Sequence, residues 1–205
     1  MRYTGPKAKK VRRQGTNIYG SDKYDRVLTR KPYGPGKGPK SQTSKLSEYG
    51  KQLMEKQKAR DMYGLSEQQF QRLYREATQV TGQTGDAFKQ LLERRLDNAV
   101  FRAGFAMTRM QARQFVGHGL FTVDGVRVTI PSFRVKPGQV IAVRTQSKSS
   151  PMFAQVLGAH EKYSAPSWLT VDSSAMKITI KDLPGAEHGE QGVDVRKIVE
   201  FYSRN

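Results

Sequence analysis

The sequence predicts an α+β protein in which helices and strands occupy different parts of the chain. Apolar residues recur with helical spacing between Leu46 and Val116, and short apolar segments separated by turns follow between Leu120 and Val143. Before Leu46 the chain is basic and rich in glycine and proline. We therefore expect a basic extended N-terminal arm, a small helical domain, and a module of two helices with a small antiparallel sheet.

Residues 1–45 form the expected arm. Its Pro/Gly run from Lys31 to Lys40 lacks several backbone donors and has much conformational freedom, so no autonomous helix or central strand is expected there. Such a segment buries little core by itself. We expect it to become ordered on a partner.

Three helices are predicted after the arm. The first covers residues 47–63 and ends at Gly64, and the second begins at a capping box formed by Ser66 and Gln69. The third opens at Thr84, and its apolar positions continue to Ala103. Three short helices of this kind can share one small core.

The following module combines a short helix with a hairpin. Thr108 and Gln111 predict another capping box, at the start of a helix that ends near Val116. Asp124-Gly125 between two apolar segments is typical of a β-hairpin, and a Lys-Pro-Gly turn precedes a third strand at residues 139–143.

The charge of the chain indicates a polyanionic partner. The 205 residues include 36 Lys plus Arg and 18 Asp plus Glu, a formal net charge of +18. The net charge is +10 over residues 1–50 but −1 over residues 164–205, which places the contact in the first three-quarters of the chain. Nucleic acid is the favoured partner because displaced counterions contribute strongly to its binding. No stretch joins a basic face to a continuous leucine and aromatic face, so no membrane partner is expected.

Several function classes are excluded by composition. The absence of cysteine excludes disulfides, cysteine-ligated zinc and a thiol nucleophile. The three histidines lack ligand spacing and no serine lies in a nucleophile elbow, so no metal, cofactor, small-molecule substrate or catalytic residue is expected. No apolar run approaches the ~18 residues of a membrane span, and the N-terminus lacks the apolar core of a secretory signal.

A family resemblance extends over essentially the whole chain. Residues 95–116 begin Arg-Leu-Asp-Asn-Ala-Val and are followed by Gly-His-Gly and the Val-Asp-Gly hairpin. Leu-Ser-Glu-Tyr-Gly at 46–50, Thr-Gly-Gln-Thr-Gly at 81–85 and the ending Val-Glu-Phe-Tyr-Ser at 199–203 occur in the same order. These motifs resemble the family of bacterial small-subunit ribosomal protein four. The resemblance implies four parts: the arm (1–45), a helical domain (46–92), an inserted RNA-binding domain (93–163), and a C-terminal segment (164–205) that packs on the helical domain.

The resemblance also implies a structural, non-catalytic role. Members of this family bind a five-way junction in the 5′ domain of small-subunit rRNA, nucleate assembly, contact small-subunit ribosomal protein five, and contribute to the mRNA entry channel and to translational accuracy. We accordingly expect a ribosomal location, in the bacterial cytoplasm or in an organelle. Many members carry four cysteines near the N-terminus that bind zinc. This chain has none, so the zinc site is not expected here.

Candidate rRNA-binding residues centre on the helix that Thr108 caps. Arg109 and Arg113 lie four residues apart on that helix, next to its free N–H groups, and would form a cradle for phosphate. The alternative is that both are solvated helix cations. The full set of expected rRNA contacts is Arg2, Tyr3, Lys7, Lys9, Lys10, Arg12, Arg13, Lys51, Lys58, Arg95, Arg102, Thr108, Arg109, Arg113, His118 and Arg127.

Two further sites are implied by the resemblance. Lys40 and Lys45 remain of a basic cluster that family members place at mRNA entry, although the cluster is thinner here. Gln52, Glu200 and Tyr202 are expected to face protein five.

Four residues or segments have competing interpretations. Asp97, next to Arg95, is expected to form a structural ion pair instead of serving as a catalytic acid, and Trp168 and Phe201 are expected in the core. The basic run at 7–13 resembles a nuclear-targeting signal, but its tyrosines and Gly-Pro context favour an RNA-binding arm.

Two alternative functions use the same module. An RNA-modifying enzyme would need an additional catalytic domain of well over about a hundred residues, whereas only residues 164–205 follow the module. An RNA chaperone is the other alternative. The number of copies of the protein in each purified small subunit discriminates it from a constitutive ribosomal component.

Overall fold

The computed structural model describes residues 3–36, 38–40, 45–153 and 163–204. The chain divides into two compact units. The first unit comprises Met1–Gly85 with Glu190–Asn205, and the second comprises Asp86–Gly189. Helices occur in both units and an antiparallel sheet in the second, which confirms the α+β class.

The first unit is helical. Its helices are α1 (Lys7–Gln14), α2 (Asp22–Arg30), α3 (Glu48–Met62), α4 (Glu67–Thr78) and the C-terminal α8 (Val195–Ser203). Helices α3 and α8 pack against each other. Phe70, Ala77 and Ile198 are fully buried in this unit, and Phe201 is buried as predicted.

The irregular arm is the first expectation that the structure corrects. Residues 7–14 and 22–30 are helical because the segment has apolar anchors that its composition obscures: Val11 and Ile18 are 0% and 2% exposed. Helix α1 begins after Pro6, whose φ of −67° suits a helix start, and ends at Gly15, whose φ is +68°. The Pro/Gly run after Arg30 contains no helix in its described residues, as expected.

Serine side chains cap both α3 and α4. Ser47 Oγ accepts a hydrogen bond from Gly50 N at 3.2 Å. Ser66 Oγ accepts from Gln69 N at 3.3 Å, and Gln69 Oε1 accepts from Ser66 N at 3.4 Å, which completes the predicted capping box.

The third predicted helix is two helices. Helix α5 covers Thr84–Glu93 and α6 covers Leu96–Arg102. Between them Arg95 is extended, with φ −69° and ψ 139°, and forms an isolated antiparallel bridge with Arg134. The apolar spacing continues through the break, but the main chain there pairs with a segment about forty residues away.

The second unit contains α6, α7 (Arg109–Gly117) and a five-stranded antiparallel sheet. Its strands are β1 (Phe121–Val123), β2 (Val126–Arg127), β3 (Val140–Val143), β4 (Leu169–Asp172) and β5 (Lys177–Ile180), in the order β2-β1-β3-β5-β4. The predicted hairpin is present, with Val123 opposite Val126 and φ of 50° and 83° at Asp124 and Gly125.

The C-terminal segment 164–205 does not pack as one piece. Residues up to Gly189 belong to the second unit, because β5 pairs with β3 and places Ile178 opposite Ile141. Trp168, Ile178 and Ile180 lie in the same buried cluster as Phe121. Only Glu190–Asn205 joins the first unit. Among the described residues, no helix has both the length and the apolar character that crossing a bilayer requires.

Candidate nucleic-acid interface

Helix α7 begins at the predicted cap. Thr108 is extended, and its Oγ1 accepts a hydrogen bond from Gln111 N at 3.2 Å. In a capping box the Gln111 side chain would accept from the backbone N–H of the cap residue, Thr108. Here Gln111 Oε1 accepts from Met107 N instead, at 2.8 Å. The first N–H groups of a helix have no acceptor within it, and they form the positive end of its dipole. This end of α7 therefore favours an anion.

Arg109 and Arg113 are both held by side chains of α6. Arg109 Nε donates to Asn98 Oδ1 at 2.9 Å, and its Cζ lies 4.5 Å from the centre of the Phe101 ring. Arg113 Nη1 lies 3.7 Å from Asp97 Oδ2, and the Arg113 side chain is 27% exposed. Neither is a freely solvated helix cation. Holding these long side chains in place reduces the entropy that they lose when they bind a phosphate.

Two other candidate arginines are neutralised inside the second unit. Arg95 is 4% exposed and donates from Nε and Nη2 to the two carboxylate oxygens of Asp97, at 3.0 and 2.8 Å. Arg102 donates in the same way to Glu93, at 2.9 and 3.1 Å, and Glu93 is fully buried. The structural ion pair of Asp97 is confirmed. The guanidinium of Arg95, which was expected to contact RNA, is buried against Asp97 at the start of α6.

Asn98 connects these ion pairs to α7. Its Nδ2 donates to Glu93 Oε2 at 2.7 Å while its Oδ1 accepts from Arg109. Arg102, Glu93, Asn98 and Arg109 thus form one continuous network of hydrogen bonds. The sequence interpretation missed Asn98 and Glu93, because their roles depend on how α6 packs against its neighbours.

The end of α7 positions Arg127. His118 is the exposed C-cap residue, and its carbonyl oxygen accepts from Arg127 Nη2 at 3.2 Å. Gly119 has a φ of +69°, and a Cβ there would overlap the Arg127 guanidinium. The Arg127 guanidinium therefore packs against Gly119, and Arg127 is exposed on β2, an edge strand of the sheet. His118 and Arg127, both predicted to bind rRNA, are brought together.

Arg94 and Arg134 are two arginines that the sequence interpretation left out of the candidate set. Arg94 Nε donates to Val135 O at 3.2 Å, and Arg134 is exposed. Burial, and secondly the nearby charge of Arg134, lower the pKa of Arg94 below its usual value. The Arg94-Arg95 doublet was the available signal, but helical periodicity does not tell which of the two arginines points inward.

Most basic candidates of the first unit also have internal partners. Lys10 Nζ lies 2.6 Å from Asp61 Oδ1 and 3.7 Å from the centre of the Tyr3 ring. Arg12 donates to the carbonyl oxygens of Tyr33 and Gly34, both at 3.0 Å. The arm is therefore ordered largely by contacts within its own unit.

The remaining basic candidates differ in exposure. Lys7 Nζ lies 5.9 Å from the Tyr19 ring, and Lys51 and Lys58 form ion pairs within α3, with Glu48 and Glu55. The exposed cations of the set are Lys9, Arg13, Lys40, Lys45 and Lys51. Arg2 and the stretch 41–44 between Lys40 and Lys45 lie outside the described residues.

The residues expected to face protein five do meet in the first unit. Gln52 Nε2 donates to Glu200 Oε2 at 2.8 Å, but Gln52 itself is fully buried. Tyr202 is partly buried and donates to Glu67 Oε1 at 3.0 Å, and burial is the main cause that raises the pKa of Tyr202. Gln52 thus orients Glu200 and is not itself a contact surface. Leu46 and Tyr49 are 49% and 50% exposed, and the Tyr49 ring centre lies 5.6 Å from that of Phe201.

The described part of the chain contains no group of three or more histidine, aspartate or glutamate residues placed to hold a metal ion. His160, one of the three histidines, lies outside it. The described surface carries cations held beside hydrogen-bond donors, an arrangement that suits phosphates.

Comparison with known proteins agrees with this chemistry. The model of the "Ribosomal protein S4/S9 N-terminal domain" matches residues 2–93, and the model of the "S4 domain" matches residues 94–141. The chain is 47% identical over 206 residues to "Small ribosomal subunit protein uS4" of Chloroflexus aurantiacus, covering 99% of each chain. The proteins of that name from Geobacillus stearothermophilus and Roseiflexus castenholzii are 47% and 45% identical, also over 99% of each chain.

Proposed function

This chain belongs to the uS4 family of small ribosomal subunit proteins, and from that premise we propose that it holds a junction of rRNA helices in the 5′ domain of the small subunit. Like these relatives, it is a protein of the small ribosomal subunit and not an enzyme. Its S4 domain makes it an RNA-binding protein. The proposal extends to the nucleation of subunit assembly and to a cytoplasmic ribosome.

One observation carries the proposal. Arg109 is the first residue of α7 after its Thr108 cap and Arg113 lies one turn further along, and both guanidiniums contact side chains of α6. Phosphates have the charge and geometry that two such arginines and a helix N-terminus bind best. Rigid phosphate contacts provide affinity, while the shape of an RNA junction provides specificity.

Footprinting of the pure protein on protein-free small-subunit rRNA tests this function. We expect protection of one helical junction in the 5′ domain at protein concentrations that leave other helices reactive. The double variant R109A/R113A should weaken this binding and reduce the slope of log K against log salt by about two, one for each lost phosphate contact. Equal binding to random RNA of the same length would contradict the proposal.

We also propose that protein five binds the surface formed by Leu46, Tyr49 and Glu200. The support is the exposure of Leu46 and Tyr49, the contact of the Tyr49 ring with Phe201, and the Glu200 carboxylate that the buried Gln52 orients. A fixed charge at the rim of an apolar patch is typical of protein interfaces. Tyr49→Ser should weaken the complex with purified protein five and leave rRNA binding unchanged. An unaffected complex would remove this surface from the proposal.

The contribution to the mRNA entry channel, and through it to translational accuracy, rests on Lys40 and Lys45. Both are exposed. We propose that they contact mRNA phosphates at the entry. Subunits reconstituted with K40Q/K45Q should unwind structured mRNA more slowly than wild-type subunits. An unchanged rate of unwinding would show that the two lysines do not contact mRNA.

A further inference from the structure

A cleft in the first unit lies between α4 and α8. Its volume is about 320 Å³, and its walls are formed by Glu67, Gln71, Tyr74, Arg75, Phe201 and Tyr202. Glu67, Gln71 and Arg75 follow one another at intervals of four residues, so their side chains lie along one face of α4. Small-ligand sites measure roughly 300–1,000 Å³. This cleft is at the lower end of that range, which suits a single ring with a short polar group.

Three aromatic rings line the cleft. The rings of Tyr74 and Tyr202 are stacked, with their centres 4.5 Å apart. The Phe201 ring meets that of Tyr202 edge to face, at 5.4 Å between centres, and Phe201 is 8% exposed. Because these rings pack on each other, the aromatic surface is in place before any ligand arrives. A flat aromatic group is the kind of ligand that such a surface binds best.

The charge that Glu67 brings to the cleft is already compensated. Lys56 Nζ lies 2.6 Å from Glu67 Oε1, and Arg60 Nη1 lies 2.9 Å from Glu67 Oε2. The Tyr202 hydroxyl donates to Oε1 as well, at 3.0 Å. The carboxylate and its two cations therefore satisfy each other, and this part of the cleft does not need a charge from a ligand.

Gln71 and Arg75 differ from Glu67 in this respect. Both line the cleft, and within the part of the chain that the structure describes neither side chain makes a hydrogen bond or an ion pair. Their N–H donors lie one helical turn apart. A guanidinium next to a primary amide provides several donors and no competing acid, which is the arrangement that a carboxylate requires.

We propose that this cleft binds an aromatic ring that carries a carboxylate. The ring packs on the three aromatic side chains, and the carboxylate accepts hydrogen bonds from Arg75 and Gln71. Arg75 is the one cation that lines the cleft in the described part of the chain, whereas nucleic acid gains affinity from many phosphate contacts at once. A free aromatic acid and an aromatic residue beside an acidic one in a protein share this chemistry.

Titrations of the full, isotope-labelled chain followed by NMR test the site. The probe is N-acetyl-tryptophan, and N-acetyl-tryptophanamide is the matched compound without the carboxylate. N-acetyl-tryptophan should shift the signals of the Gln71 side-chain amide and of the Arg75 Nε–H. The amide compound should bind about tenfold more weakly, because it lacks the charged acceptor.

Arg75→Gln is the main variant, because the Arg75 side chain has no partner among the described residues and the Tm should therefore be unchanged. It should bind N-acetyl-tryptophan about tenfold more weakly than the wild type and the amide compound equally well, so that it no longer distinguishes the two probes. Arg72→Gln is the matched control. It removes the same charge from an 83% exposed position of the same helix and should bind both probes as the wild type does.

Several results would overturn the inference. Equal affinities of the wild type for the two probes would show that the cleft does not recognise a carboxylate, and unshifted signals at about 20 mM probe would show that it has no such ligand. Equal losses in Arg72→Gln and Arg75→Gln would indicate a general effect of charge. Displacement of the probe by a short single-stranded RNA would assign the cleft to nucleic acid. A complex with protein five that Arg75→Gln weakens as much as Tyr49→Ser does would assign it to that interface.

A second probe distinguishes the two sources of the ligand. Acetyl-Trp-Glu-amide has the ring and the carboxylate of a segment within a protein. Tighter binding of this peptide than of N-acetyl-tryptophan would identify a protein partner, and the opposite order would identify a free aromatic acid; either order supports the site. Because these probes contain no RNA, the inference and the proposed function can fail separately.

Discussion

Lys56 Nζ lies 2.6 Å from Glu67 Oε1 and joins α3 to the first turn of α4. The Lys56 side chain is 6% exposed, while that of Glu67 is 42% exposed. The ammonium lies 4.7 Å from the centre of the Phe201 ring, and Tyr202 donates to the same Glu67 oxygen at 3.0 Å. One carboxylate thus connects three helices of the first unit.

Glu67→Gln should lower the free energy of unfolding by about 1–3 kcal/mol. Removing the partner of a buried charge costs ~3–5 kcal/mol, and the smaller value reflects solvent screening at a carboxylate that is more than a third exposed. Urea unfolding followed by circular dichroism measures the change. The matched control is Glu76→Gln, whose exposed partner Arg72 lies in the same helix, and its effect should stay within about 0.5 kcal/mol. Equal losses in the two variants would contradict the prediction.

The same carboxylate predicts a pH dependence of stability. Burial by itself raises the pKa of Glu67, but the hydrogen bonds from Lys56, Tyr202 and Arg60 and the charge of Lys56 outweigh it, so the net shift is downward. A carboxyl with a lowered folded pKa stabilises the fold above its unfolded pKa, and this stability is lost as pH falls through the folded pKa.

The wild type should therefore lose stability more steeply than Glu67→Gln as pH falls from about 5 to about 3. Urea midpoints measured at half-unit intervals should converge at the acid end. Parallel curves would show that Glu67 does not contribute to the acid sensitivity of the first unit.

Two glycines at the end of α7 should respond in opposite ways to alanine. Gly117→Ala places a methyl group in open space at a helical position and should be neutral or stabilise by up to about 1 kcal/mol. Gly119→Ala should destabilise by about 1–2 kcal/mol because its φ is +69° and its new Cβ meets the Arg127 guanidinium. Thermal unfolding of the two variants compares them directly, and a stabilising Gly119→Ala would be inconsistent with this geometry.

Asn98 should act on RNA through Arg109. Arg109→Ala and Asn98→Ala should each weaken binding to the 5′-domain rRNA fragment, and the double variant should bind about as weakly as Arg109→Ala alone. Phe101→Leu, which removes the ring but retains apolar volume, should weaken binding in the same direction.

The control for this cycle is Arg127→Ala, whose hydrogen bond is to His118 and not to the α6 network. The losses of RNA-binding free energy caused by Arg127→Ala and by Asn98→Ala should add to within about 0.5 kcal/mol in the double variant. Full additivity between Asn98 and Arg109 would mean that Asn98 does not position the arginine.

Signals that act over a few residues predicted local structure well. The Ser66 cap of α4, the Thr108 cap of α7 and the Asp124-Gly125 hairpin all appear where the sequence places them. Each depends on a hydrogen bond or a backbone conformation within about four residues, so the sequence alone contains the relevant physics.

Errors arose where a distant segment competes with the local pattern. Apolar spacing continues from α5 into α6, yet the chain breaks at Arg95 because its main chain pairs with Arg134. The basic composition of residues 1–45 concealed Val11, which is fully buried. Residues 164–205 were expected to pack on the helical domain as one segment. Strand β5 pairs with β3, and β4 pairs with β5, so both strands belong to the second unit.

By itself, the sequence determined the α+β class, the helix starts, the hairpin and the basic character that points to RNA, because composition and short-range hydrogen bonding suffice for each. Tertiary structure decided which arginines are buried and which acidic or carbonyl groups they pair with. Arg95 and Arg94 are neighbours in the chain, but the side chain of Arg95 is buried against Asp97 and that of Arg94 donates to the Val135 carbonyl. Burial and charge pairing depend on which segments meet in space, and adjacent residues can therefore have opposite roles.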